Sequence, residues 1–199
     1  MKKAFTITDK KIIKNILDEA EFGTLALCSD NRPYSLPLNF VELKDEIYFH
    51  GAQKGKKLDL IKQNSYASFS VVEPYSILPS YFSTDDGSAC PATHMFKSVI
   101  IDGEIKLVEE YEEKAEALNE LMKKLQSEGK YIPLHDKMYE KIINATALFK
   151  LVSISTTCKV KFGQNFSKER YEKVLKYLKQ RGTSKDITTL NMINEFYNV

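Results

Sequence analysis

The chain has 199 residues, 43% of them hydrophobic and 28% charged, which suits one globular domain, or one with a modest appendage. Its 29 basic and 27 acidic residues leave a net charge of +2, too balanced for a dedicated nucleic-acid binder or a polybasic membrane protein. Arginine occurs only at Arg32, Arg170 and Arg181, so an anion site must rely on lysine and backbone N–H groups rather than arginine forks.

In chain order, Met1 to Phe5 lead into polar residues rather than an apolar stretch, and no run approaches the roughly 20 apolar residues of a membrane-spanning helix. Three distant cysteines, Cys28, Cys90 and Cys158, make no disulfide framework, and a reduced cytoplasm is the expected compartment. Thr8 or Asp9 caps a helix whose apolar face is Ile12, Ile13, Ile16 and Leu17, and Gly23 stops it. Gly23 to Ser29 reads as a buried strand, with Cys28 as a small core residue. Asp30 to Pro33 is turn chemistry, and Tyr34 to Val41 is a strand that Pro37 confines to an edge or bulge. Ile47 to His50 completes an antiparallel meander.

A Gly- and Lys-containing segment, Gly51 to Lys57, then opens a helical face at Leu58, Leu60 and Ile61. Tyr66 to Val72 is a strand, and residues 73–95, with three prolines, read as a long loop in which Tyr75, Tyr81 and Phe82 are candidates for a substrate wall or for simple anchoring. Phe96 to Val108 is a long strand with Asp102-Gly103 as a bulge, Glu109 to Leu125 an amphipathic helix, and Ala145 to Thr157 the last strand. Ser167 caps a helix stopped by Gly182; Thr183 or Ser184 caps another with Ile187, Leu190, Ile193 and Phe196 on its apolar face.

The chemistry concentrates at His50-Gly51-Ala52-Gln53-Lys54-Gly55-Lys56-Lys57. A strand ends, glycines free the backbone, and two lysines open a helix whose exposed N–H groups and dipole suit a phosphate. The motif is neither a P-loop nor GxGxxG, and a solvated turn with decorative lysines is the alternative reading. His50 could touch an aromatic cofactor, move a proton or ligate a metal; a hydrogen-bonded, half-buried histidine is equally consistent with its position. Cys90 and His94 lack the further ligands of a structural zinc site, so no metal site is expected.

Taken in order, four stretches resemble the FMN-binding split-barrel superfamily that includes pyridoxamine 5′-phosphate oxidase, and within it the nitroimidazole-resistance (Nim) branch. They are Glu21 to Ala26 after the first helix; Pro33 to Phe40; Ile47 to Ala52 running into Gly55 to Leu60; and Phe96 to Ile105 followed by the Glu-rich helix. The resemblance covers roughly residues 5–163. It implies a mainly β fold with flanking helices: a six-stranded antiparallel split β-barrel over residues 1–165, with the helical hairpin 166–199 as an extension. It also implies a homodimer holding FMN at the subunit interface, with no nucleic acid and no membrane as partner.

By the same resemblance, Tyr34, Ser35, Leu36, Pro37, Leu38 and Asn39 lie along the isoalloxazine ring. His50, Gly51 and Ala52 lie near the flavin and ribityl chain, with His50 in an acid/base or positioning role. Lys56 and Lys57 hold the phosphate, and Lys97 and Ser98 occupy the family's Tyr-Arg-Ser step with Phe96 in place of Tyr and Lys in place of Arg. Pyridoxamine phosphate oxidation itself is not expected, because residues 33–169 contain no arginine for a substrate phosphate. The expected activity is reduction of a small, nitro-aromatic or quinone-like acceptor through the flavin. The alternatives are a flavin- or haem-binding module for storage or sensing, and a degenerate barrel kept for protein contacts.

Overall fold

The computed structural model describes residues 3–196. Eight strands form one antiparallel sheet: β1 (Thr6–Ile7), β2 (Gly23–Ser29), β3 (Arg32–Leu38), β4 (Val41–Leu43), β5 (Glu46–Gly51), β6 (Tyr66–Leu78), β7 (Thr93–Val108) and β8 (Ala147–Lys161). Their order is β3-β2-β6-β7-β8-β5-β4, with β1 paired to β8 off this path. The path is open, so β3 lies at one edge and β4 at the other. Six helices flank it: α1 (Lys10–Glu19), α2 (Lys56–Gln63), α3 (Tyr111–Leu125), α4 (Glu140–Ala145), α5 (Lys168–Arg181) and α6 (Ser184–Phe196).

The chain divides into two compact units, and β6, β7 and β8 each run from one into the other. The larger unit comprises residues 10–71 and 99–157. The antiparallel meander expected over residues 23–50 is instead two separate hairpins, β2–β3 and β4–β5, at opposite edges of the sheet; their turns, Asp30-Asn31 and Lys44-Asp45, all adopt positive φ, the geometry that matches strand twist in a two-residue hairpin. In α3, a face with Ala117 and Leu121 packs on Val41, Tyr48, Val108 and Leu148 of β4, β5, β7 and β8. Phe40 meets Phe69 edge-on at 4.8 Å, and Phe49 stacks on Phe149 at 5.5 Å.

The smaller unit comprises residues 1–9, 72–98 and 158–199. Here two expectations need correction and one open alternative is decided. Residues 73–78, expected as loop, continue β6; its ladder with β2 spans only Ala67–Ser70, so Pro74 lies beyond that ladder and removes no donor from it. Tyr75 and Phe82 are buried, Tyr75 against Phe162 at 4.7 Å and Phe82 stacked on Tyr177 at 4.9 Å, which makes both anchors; Tyr81 is exposed. The apolar face expected on α6 is rotated: Ile187 is exposed, while Asp186, Thr189, Ile193 and Phe196 are buried.

Asp186 explains that rotation. Its carboxylate accepts from Ser76 Oγ at 2.6 Å, from Arg181 Nε at 2.9 Å and from an Arg181 terminal N–H at 2.6 Å, and the Thr183 N–H bonds it at 3.1 Å. Thr189 Oγ1 accepts from the Ser76 N–H and donates to Ser76 Oγ. A polar pin, satisfied on every side, fastens the hairpin to β6. The Arg181 guanidinium, with the Ser76 and Thr183 donors, holds the Asp186 carboxyl well below the usual carboxylate range.

Candidate functional site

The site grows from the C-terminal end of β5. His50 pairs with Leu148 and Gly51 with Ala147 across the β5–β8 ladder, so the strand is held up to its last residue. The loop that follows is tied down by Gln53, whose Nε2 donates to the Ala145 carbonyl at 2.6 Å. Gly55 then takes φ 119°, a conformation that L side chains rarely adopt, and α2 begins at Lys56. No side chain caps that helix start, so the N–H groups of its first turn are left for another acceptor.

Lys57 folds back over the strand end. Its ammonium donates to the His50 carbonyl at 3.2 Å and lies 5.4 Å and 5.6 Å from the Phe49 and Phe149 ring centroids. A Cβ on residue 51 would fall 2.2 Å from Lys57 Nζ, so the glycine leaves the space that the ammonium occupies. Half-buried and without an ion pair among the described residues, Lys57 has its pKa lowered by burial. His50 keeps an exposed edge, yet its imidazole is also pushed below its ordinary range, by desolvation first and by the Lys57 charge second. It is therefore neutral at pH 7, able to accept at one ring nitrogen and donate at the other. Ala52 and Lys56 are exposed; the Lys56 ammonium sits over the Tyr34 ring, 4.2 Å from its centroid. That contact joins the helix start to β3.

The edge strand β3 has its own chemistry. It pairs with β2 alone, in the register Tyr34↔Leu27, Ser35↔Ala26, Leu36↔Leu25, Pro37↔Thr24 and Leu38↔Gly23. Antiparallel strands alternate between residues bonded to the neighbour and residues facing away. Pro33 and Pro37 cannot donate to a ladder, so their parity, shared with Ser35, faces the free edge. The free edge thus offers the Ser35 N–H as donor and the carbonyls of Pro33, Ser35 and Pro37 as acceptors. Tyr34, Leu36 and Leu38 are half-buried, and Asn39 is exposed.

Lys97 and Ser98 belong to the other compact unit. Lys97 pairs with Glu73 at 3.4 Å and lies over the Tyr75 ring at 5.3 Å; Ser98 is half-buried on β7. Among the histidines not used here, His94 lies 3.0 Å from the Tyr75 carbonyl through Nε2. No cluster of three potential metal ligands occurs among the described residues. Sequence reasoning missed Gln53 and Phe149. Gln53 could have been found as the one uncharged hydrogen-bonding side chain between the two glycines; Phe149 sits on a distant strand and gave no signal.

The family model for pyridoxamine 5′-phosphate oxidase matches residues 9–159, three quarters of the chain and all of the site just described. The chain belongs to the pyridoxamine 5′-phosphate oxidase family. Solved structures agree on the fold. A 5-nitroimidazole antibiotic resistance protein from Bacteroides thetaiotaomicron, so described provisionally, is 20% identical with a TM-score of 0.63, covering 78% of this chain and 86% of its own. The flavocytochrome Anf3 from Azotobacter vinelandii is 22% identical with a TM-score of 0.65, over 84% of this chain and 75% of its own. The FAD and haem binding protein from Mycobacterium smegmatis is 18% identical with a TM-score of 0.64, over 78% and 73%. No curated protein matches. Among the described residues of this family member, no helix is long and apolar enough to cross a membrane.

The residues present fit a flavin phosphate. The observation that tests this is the uncapped start of α2, with Lys57 held half-buried beside it and no carboxylate among the described residues pairing with Lys56 or Lys57. A phosphate there would meet free N–H groups, the helix dipole and two ammonium groups.

Proposed function

We propose that the protein is an FMN-dependent oxidoreductase that reduces a small acceptor of nitro-aromatic or quinone-like character. The uncapped α2 start with its uncompensated Lys56 and Lys57 carries this reading, because a site built that way is complete only with an anion bound. Bound FMN would supply two-electron redox chemistry. The chain supplies the rest. Lys56, Lys57 and the first-turn N–H groups hold the phosphate; the free edge of β3, from Tyr34 to Asn39, offers one donor and two acceptors to the polar rim of a flat heterocycle. Gly51 and Ala52 keep the approach narrow and free of bulk. His50, neutral at pH 7, sits at the strand end as the residue able to orient an acceptor or pass it a proton. Lys97 and Ser98 are proposed as further cofactor contacts. With no arginine across residues 33–169, the acceptor is a molecule other than pyridoxamine phosphate.

The six strands of six or more residues, β2, β3, β5, β6, β7 and β8, are proposed as the split barrel, with 166–199 as its extension. A homodimer is the proposed working form. Support comes from an apolar groove of about 450 Å³ on the larger unit, edged by Tyr66 and Ile154, which are 62% and 67% exposed. The cytoplasm is the proposed compartment.

Purified protein should be yellow, or turn yellow and fluorescence-quenching on titration with FMN. The Lys56→Ala/Lys57→Ala double variant should weaken FMN binding roughly 10- to 100-fold, the worth of one or two charge-assisted hydrogen bonds. Colourless protein that ignores FMN overturns the reading. A Soret band in its place assigns the fold to haem and to the storage or sensing alternative. Anaerobic reduction of bound FMN by NADH or NADPH, followed by reoxidation with a nitro-aromatic or quinone, separates turnover from storage.

A further inference from the structure

His50 and Lys57 lie seven residues apart in the chain, yet the loop between them brings the lysine back onto the histidine. The Lys57 ammonium donates to the His50 carbonyl at 3.2 Å, in space that Gly51 leaves open. The Phe49 and Phe149 rings wall it in, with the nitrogen 5.4 Å and 5.6 Å from their centroids. Rings there displace water that would otherwise screen the charge. A positive charge fixed in that place opposes a second one on the imidazole beside it.

The other charged groups around His50 are compensated or turned elsewhere. By strand alternation its own face of β5 carries Glu46 and Tyr48, and these are tied to Lys150 and Glu113. Across the ladder, Leu148 and its neighbours Ala147 and Phe149 carry no charge. From α3, Lys114 donates to the Thr146 carbonyl. The loop brings Gln53, held to the Ala145 carbonyl, and the exposed Lys54. From α2, Lys56 sits over the Tyr34 ring and Asp59 is exposed. Lys57 is thus the charge that bears on the imidazole: burial first, and Lys57 second, push the His50 pKa down. Lys57 itself has no carboxylate partner among the described residues, so only a bound anion can silence it.

We propose that an anion held by Lys57 brings a proton to His50, so that the site takes up its phosphate and a proton together. This coupling rests on the phosphate reading of the α2 start. A phosphate monoester carries nearly two negative charges, which cancel the repulsion that keeps His50 neutral. The imidazole then takes a proton from solvent at a pH where the empty protein leaves it unprotonated. Both ring nitrogens become donors, and the histidine becomes an acid. A nitro or quinone oxygen gains negative charge as it is reduced, and a doubly donating imidazolium answers that charge. The acid is therefore assembled only once the anchor is filled.

The His50 imidazole is titrated by proton NMR from about pH 5 to about pH 8 in the full-length protein. Its signal among the three histidines is identified by its loss in His50→Gln. Lys57→Met should move the titration to higher pH in the empty protein, and Lys56→Met should leave it in place. Sulfate, which does not itself titrate in this range, should move it the same way in the wild type and not in Lys57→Met. FMN should do so too, and riboflavin, which lacks the phosphate, should not. Since the anion-bound form holds the extra proton, sulfate affinity read by calorimetry should rise roughly three- to tenfold as pH falls through this range, and His50→Gln should flatten that rise. Sulfate or FMN bound with the imidazole titration unmoved, or the same titration in wild type and Lys57→Met, overturns the coupling and leaves the phosphate site standing. Failure of sulfate and FMN alike to bind overturns the phosphate reading, and the coupling with it.

Discussion

Lys57 and Arg181 are both cations at the end of a helix, and the structure treats them in opposite ways. Arg181 meets a carboxylate that is 1% exposed in its side chain and fully hydrogen-bonded. Lys57 is half-buried beside two aromatic rings with only a backbone carbonyl to bond. A charge compensated inside the chain fixes the chain's shape. A charge left uncompensated costs stability in the empty protein and is recovered when an anion arrives.

The largest way to break this contrast is Asp186→Ala. It strands the Arg181 guanidinium, Ser76 and Thr189 together, and should cost about 3 kcal/mol in urea denaturation. The wild-type pin should also weaken in acid. A carboxyl held below its ordinary value stabilises the fold above the unfolded-state value near 4 and loses that contribution as pH falls further. Asp186→Ala should therefore flatten stability against pH below about 4; an unaltered acid limb would assign the loss elsewhere.

Lys57→Met should have the opposite sign in the flavin-free protein. It removes a desolvated charge and keeps the aliphatic packing on Phe49 and Phe149, so the melting temperature should hold or rise by a few degrees while FMN binding weakens. A clear fall in melting temperature would make Lys57 a structural residue.

Lys124 sharpens the comparison, being an uncompensated cation with no ligand proposed for it. Its ammonium donates to the Leu17 carbonyl at 2.7 Å and lies 3.8 Å from the Phe40 centroid, and burial pushes its pKa down to about 8. Between that value and the unfolded value near 10.5, the unfolded chain carries the extra proton, so stability rises with pH across this window. Lys124→Met should thus gain on the order of 1 kcal/mol below pH 8, and the advantage should fade towards pH 10.5. A constant difference at all pH values would mean the gain comes from packing alone.

Much of this was legible in the sequence. Gly23 to Ser29 is a strand to the residue, and Gly55-Lys56-Lys57 opens a helix, because turn residues and hydrophobic periodicity both act locally. The sequence marked Gly51 and Gly55 as points of backbone freedom, and Gly55 does adopt a positive φ; that Gly51 leaves room for the Lys57 ammonium depends on a side chain folding back and was not legible. Less legible was whatever depends on distant partners. Cys28, expected in the core, is exposed, while Cys158 is buried and its thiol pushed up to about 11. Alternation sets a residue's face, but only the packing on that face decides burial. Asp186 and Thr189 look like a polar helix face until Ser76 and Arg181 are brought beside them.

The smaller unit draws on residues 1–9, 72–98 and 158–199, and its first strand pairs Thr6 with Lys159 and Ile7 with Cys158. A nascent chain leaving the ribosome must therefore carry its opening residues unpaired until some 150 more have been made. The larger unit, whose segments end at residue 157, holds all its parts before the smaller one does. Synthesis itself thus orders assembly, and a stall before residue 158 would leave β1 without the strand it pairs with.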